Sequence, residues 1–286
     1  MAPNTSDEQW LKRFELEEFP QPECILLRHP IFICHGYGAV ASLMKPSPLH
    51  DVCMFLRSRG VPAVAPNIVP YATIETRAND WASLISRFAD RLGVRKVNVI
   101  AHSQGGLDMR YALAKSGVKN RVCSLTTIAT PHRGTSLALL GLNTPHSIRD
   151  RFVSFFNWMG EKVYPSASSD VMGSIQQLTP DYITTKFNSE IRDVDDVRYF
   201  SVSAAVGKGT THPIAPIMRF QNQYIYDREG VNDGFVSRES AKWGEHWETI
   251  TLSHVEQMNI NVSDKRTELW EQFYERLLHR LAENGL

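Results

Sequence analysis

Short apolar runs alternate along this chain with longer stretches whose apolar residues recur at helical spacing. Ile31 to Cys34 (IFIC) is apolar throughout and stops at His35-Gly36-Tyr37-Gly38, which predicts a buried strand ending in a tight loop. Leu49 to Arg59 follows with helical spacing and stops at Gly60. Val61 to Ile68 predicts a second strand. From Ile74 to Leu92, the residues Ile74, Ala78, Trp81, Ile85, Phe88 and Leu92 share one stripe, and Gly93 closes the helix. Lys96 to His102 (KVNVIAH) predicts a third strand, which leads through Ser103 into a helix from Gln104 to Ser116. Arg121 to Ala129 predicts a fourth.

The alternation then breaks. From Ser136 to about Asn188 there is only helical periodicity and polar interruption, with no strand-like run. Strands resume at Arg198 to Val206 and at Glu248 to Leu252. Ser263 or Asp264 caps a last helix carrying Leu269, Phe273, Leu277 and Leu281 on one face. Strands alternating with crossover helices predict a parallel α/β sheet. The organisation expected is a core of residues 1–135 and 189–286, with a helical insertion at 136–188.

Composition narrows the options. At 286 residues and 42% hydrophobic content, the chain is long enough for one large α/β domain with a small insertion. Lys and Arg balance Asp and Glu at a formal net charge of zero, and no run of like charge offers a surface to nucleic acid. No window approaches the ~18 apolar residues of a membrane span. The opening residues are polar and mixed in charge, without the apolar core of a secretory signal. The expectation is a cytoplasmic protein by default, or a secreted one whose signal was removed beforehand. The four cysteines, Cys24, Cys34, Cys53 and Cys123, form no C-x-x-C pair and read as free thiols, the last three inside apolar runs.

Chemistry concentrates at Val99-Ile100-Ala101-His102-Ser103-Gln104-Gly105-Gly106. A serine on a strand-to-helix turn needs a tight, strained backbone, and small residues two positions either side keep neighbouring elements from colliding. The usual form is G-x-S-x-G, and here Ala101 stands in for the first glycine. Such a turn also sets backbone N–H groups at a helix N-terminus beside the serine oxygen, where an oxyanion would form.

Ala101 to Gly106, with Arg110-Tyr111, Thr130-Pro131-His132-Arg133-Gly134-Thr135, Asn232-Asp233-Gly234-Phe235-Val236-Ser237 and His254, resembles the bacterial triacylglycerol lipases of the α/β-hydrolase superfamily. The motifs follow the family's order, and the resemblance spans roughly 31–260. It implies an α/β-hydrolase fold: a mostly parallel central sheet, helices on both faces and a helical cap insertion after the sixth strand. It also implies a serine hydrolase that cleaves carboxylic esters through a Ser-His-Asp triad and an acyl-enzyme, with no cofactor.

A serine hydroxyl needs a base to take its proton as it attacks. Of ten histidines, His254 follows the strand WETITL in the loop before the last helix, where this fold carries its catalytic histidine. The resemblance makes His35, His102 and His132 scaffold, and the others have no supporting context. Order along the chain and the family's acid-bearing motif select Asp233 to orient the imidazole, with Asp227 and Glu256 as fallbacks. The backbone N–H groups of Tyr37 and Gln104 are the expected oxyanion hole.

Within the insertion, Ile148, Phe152, Phe155, Phe156, Met159 and Val163 share a helical face. Such a stripe fits core packing as well as it fits a cap over an acyl pocket, and the acyl-binding candidates are Phe152, Phe155, Phe156 and Met159. A cap of this kind would allow transient lipid contact, with an acyl ester or lipid as substrate and no protein partner implied.

The chain departs from the family at two places. Thr210-Thr211-His212-Pro213 lacks the carboxylate expected of a calcium ligand, and only Glu256 stands at the second ligand position, so no metal is expected. No cysteine lies beyond Cys123 to close the family's disulfide. The same triad would also serve a thioesterase, a lactonase or an acyltransferase, and the scaffold alone would serve a non-catalytic lipid-binding protein.

Overall fold

The computed structural model describes residues 23–36, 47–143, 170–260 and 263–286. In chain order its main elements are β1 (Ile31–Cys34), α1 (His50–Ser58), β2 (Ala63–Val64), α2 (Ile74–Leu92), β3 (Val97–His102), α3 (Gln104–Lys115), β4 (Val122–Ile128), α4 (Ser136–Asn143), α5 (Val171–Gln177), β5 (Arg198–Ala204), α6 (Arg219–Glu229), β6 (Glu245–Ile250) and α7 (Asp264–Glu283). The strands form one six-stranded sheet in the order β2-β1-β3-β4-β5-β6, and every pairing is parallel.

Successive side chains of a strand face opposite sides. Accordingly Ile31 and Ile33 enter a core shared with α1 and α7, while Phe32 and Cys34 enter a second core against α2 and α3. A strand buried on both faces must be apolar throughout, which is why IFIC shows no alternation. Thr73 caps α2 by accepting the N–H of Thr76, and Gly93 ends that helix in the left-handed conformation.

Two expectations are corrected, and one element comes without having been foreseen. The second strand shrinks to Ala63–Val64, because Pro62, Pro66 and Pro70 remove the N–H donors a longer ladder needs. The helix α6 was not expected, since RFQNQYIYDRE has no apolar stripe and buries only Asn222 and Ile225. The helical segment that interrupts the alternation follows the fourth strand of this sheet in chain order, not the sixth. Its described parts are α4, α5 and a π-helical stretch at Tyr182–Phe187. They pack on the core through Ala138, Val171 and Ile175 against Tyr71, and through Ile183 and Phe187 against Ile74 and Leu107. Phe152, Phe155, Phe156 and Met159 lie outside the described residues, as does Tyr37. Among the described residues no helix is long and apolar enough to cross a membrane.

The strand order reverses between β1 and β3, and in open parallel sheets ligands bind at the carboxyl ends of the strands beside such a switch. The loops after β1, β3, β5 and β6 all open at that end.

Candidate active site

Ser103 stands between β3 and α3 with φ 57° and ψ −134°, a conformation that L side chains rarely adopt. Its N–H donates to the carbonyl of Ile128 on β4 (2.9 Å), and the Thr130 hydroxyl donates to its carbonyl (2.7 Å). The small neighbours are required sterically. A Cβ on Gly105 would lie 2.9 Å from the Cys34 carbonyl oxygen and 2.8 Å from that of His35. One on Gly36 would lie 2.5 Å from the Ser103 Cβ and 2.8 Å from the Gln104 nitrogen. The loop after β1 therefore rests directly on the turn at Ser103.

Three residues far apart in sequence meet here. The Ser103 hydroxyl lies 2.9 Å from His254 Nε2, and His254 Nδ1 lies 2.7 Å from Asp233 Oδ2. Asp233 Oδ1 accepts the N–H groups of Phe235 (2.9 Å) and Val236 (2.8 Å). Since a carboxylate only accepts, Nδ1 carries the proton and Nε2 is free to accept from the serine. Asp233 is fully buried, while Ser103 and His254 are 8% and 5% exposed. Burial pushes the Asp233 carboxyl up, but His254 and the two backbone donors more than offset this and hold it below the ordinary carboxylate range. Phe235 stacks on the His254 ring, with centroids 4.8 Å apart and planes 25° from parallel.

The fallback acids are otherwise engaged. Asp227 is surface-exposed and bound to Lys208 and Gln223. Glu256 accepts the Ser253 N–H and pairs with Arg266 at 2.6 and 2.8 Å. A guanidinium thus occupies the carboxylate that the lipase resemblance would have lent to calcium.

His35 and His132, also near the site, are held by hydrogen bonds to neighbouring segments. Burial first, then Arg77, lowers His35 to about 3. Its Nε2 accepts the Ile68 N–H, so Nδ1 donates to the Gly36 carbonyl. Burial and Arg110 hold His132 well below its usual range. It donates to Thr127 and stacks on Trp243. Gln104 opens α3, whose first backbone N–H groups have no intrahelical partner. Tyr37, the other expected oxyanion donor, follows Gly36 immediately.

Two features escaped the sequence reading. Arg77 of α2, fully buried, donates to the carbonyls of His35 (2.7 Å), Gly36 (3.1 Å) and Val69 (2.7 Å) and to Asp108 (2.8 Å). It clamps the loop after β1 against α3. Its signal was a charge four positions before Trp81, on a helix face otherwise apolar. Gln257, also fully buried, donates to Asp233 Oδ2 at 3.0 Å. Nothing in its local sequence announces that contact.

A buried serine, histidine and aspartate thus meet at the carboxyl edge of a parallel sheet, and the chain is similar to known proteins of that architecture. A family model described as the alpha/beta hydrolase fold matches residues 61–167. Triacylglycerol lipase 2 of Saccharomyces cerevisiae is 28% identical over 77% of this chain and 64% of its own length. A triacylglycerol lipase of Pseudomonas fragi is 23% identical over 91% of this chain and 98% of its own. Among solved structures, a mature Bacillus licheniformis lipase superposes with TM-score 0.64 at 18% identity, covering 91% of this chain and 95% of that one. A metagenomic carboxyl esterase gives 0.69 at 15% identity, covering 94% and 80%. The chain thus shares the alpha/beta hydrolase fold with these proteins.

Proposed function

We propose that the chain is a carboxylic ester hydrolase in which Ser103 is the nucleophile, His254 the general base and Asp233 its orienting acid. The observation that carries this is the unbroken line of two hydrogen bonds, Ser103 to His254 to Asp233. The lipases and esterases among its relatives support the substrate class.

His254 Nε2 takes the hydroxyl proton as Ser103 Oγ attacks the ester carbonyl. Asp233, held in place by four donors, stabilises the imidazolium that results. The oxyanion forms against the N–H groups of Gln104 and Tyr37, where the N-terminal end of α3 favours negative charge. His254 then protonates the departing alcohol. Water, deprotonated by the same base, attacks the acyl-enzyme and regenerates Ser103. Residues 136–188 are the cap in this reading, and Phe152, Phe155, Phe156 and Met159 are its candidates for binding the acyl chain and any lipid surface.

The test is reaction with a fluorophosphonate probe and hydrolysis of aryl esters, in the unaltered protein and in Ser103→Ala. Labelling and turnover should both vanish in the variant. Near-normal hydrolysis by Ser103→Ala would refute the assignment. Rates from acetate esters to long-chain triglycerides, with and without a competing alcohol, then separate esterase, lipase and acyltransferase behaviour.

A further inference from the structure

Asp233 Oδ2 accepts twice, once from His254 Nδ1 and once from Gln257 Nε2. The second proton of that amide goes to the Leu252 carbonyl at 3.3 Å. Both partners of the Gln257 nitrogen only accept, so the orientation of the amide is fixed and Oε1 faces the other way. There it lies 2.9 Å from His102 Nε2. An amide oxygen only accepts, so His102 must carry its proton on Nε2. Burial and the neighbouring His254 lower His102 to about 3, which leaves this imidazole neutral. Its ring centroid is 4.5 Å from that of His254.

From this geometry, and resting on the ester-hydrolase reading above, we infer that Gln257 is a positioning residue for the reaction. It extends the triad into a five-member relay, Ser103–His254–Asp233–Gln257–His102, whose two ends are adjacent in sequence. The relay does two things. The Gln257 N–H occupies the lone pair of Asp233 Oδ2 that His254 leaves free, so the carboxylate cannot turn away from the imidazole or gather a proton. The Gln257 carbonyl fixes His102 as its neutral Nε2–H tautomer, so no second positive charge stands beside His254 when it becomes imidazolium. An ionised carboxylate at 257 would replace the donor to Asp233 by a second negative charge and would draw His102, still bonded through Nε2–H, toward imidazolium.

Apart from its bond to the Leu252 carbonyl, the side chain is separable from the fold. The bonds that tie residue 257 to α7, from Trp270 Nε1 (3.0 Å) and Tyr274 Oη (2.9 Å), both end on its backbone carbonyl. The titratable groups facing the side chain are Asp233, His254 and His102. Glu256 turns away to Arg266.

The experiment compares the pH profiles of kcat and kcat/KM for the unaltered protein, Gln257→Ala and Gln257→Glu, on a soluble aryl ester. Gln257→Ala should lower kcat about tenfold with KM within about twofold. Gln257→Glu should move the acidic limb of kcat/KM upward by about one pH unit, because a second carboxylate favours imidazolium. An active Gln257→Glu protein whose limb superimposes on that of the unaltered protein would overturn the role. Imidazole ¹⁵N shifts of the unaltered protein read the His102 tautomer without substrate: Nε2–H is expected, and Nδ1–H or imidazolium would overturn the relay even if no variant folds. Loss of probe labelling in the unaltered protein would instead count against the ester-hydrolase reading, so the two failures are distinct.

Discussion

Replacing Asp233 by asparagine tests the site most severely, because the surrounding donors leave the new amide no choice of orientation. Oδ1 must remain an oxygen, since it accepts the N–H groups of Phe235 and Val236. The amide nitrogen is therefore driven into the Oδ2 position, where it faces His254 Nδ1 and Gln257 Nε2. It can only donate there, so His254 shifts its proton to Nε2 and presents an N–H to the Ser103 hydroxyl. The base is then in the wrong tautomer. The lost charge matters as well: opposite charges about 4 Å apart at an effective dielectric near 20 interact by about 4 kcal/mol, which corresponds to roughly a 10³-fold change in rate. Tautomer and charge together should lower kcat by about 10³–10⁴, with KM little changed. Stopped-time hydrolysis of an aryl ester measures the loss, and a thermal melt checks that the protein stays folded. A folded Asp233→Asn protein within tenfold of the original kcat would show that this carboxylate does not orient the base.

Other consequences follow from the same structure. Ser103→Gly relieves the positive φ that Ser103→Ala retains, so the glycine variant should resist urea by about 1 kcal/mol more than the alanine variant, while both lack turnover. Gly36→Ala should destabilise by about 2–3 kcal/mol in urea unfolding, because the atoms its Cβ would meet include the backbone of His102 and Gln104. A variant as stable and active as the original would contradict the close approach of that loop. Glu256→Gln tests the pair with Arg266: burial pushes that carboxyl up, but Arg266 and the Ser253 N–H hold it below its usual value. The folded form is thus the stronger acid, so the pair's contribution, about 1 kcal/mol, is full at neutral pH and lost as pH falls through the depressed folded value. The stability gap between Glu256→Gln and the unaltered protein should therefore narrow in acid, and a gap constant from pH 7 to pH 3 would refute this.

The local sequence determined much of this molecule. Apolar runs such as IFIC and the stripe from Ile74 to Leu92 determined which segments become buried strands and helices, because burial on both faces of a sheet, or on one face of a helix, leaves a periodic trace in the chain itself. Small residues around Ser103 marked the strained turn, although the atoms they avoid, the carbonyls of Cys34 and His35 and the side chain of Thr130, lie on other segments. Tertiary structure decided the rest. That Asp233 rather than Asp227 or Glu256 meets His254 depends on which carboxylate the loops after β5 and β6 bring together, and hydrogen bonds between distant segments leave no periodicity to read. The same holds for Arg77 under the loop after β1 and for Gln257 behind the acid: each is a buried polar group whose partners lie on other elements, and only the packed sheet brings them within 3 Å or so of one another.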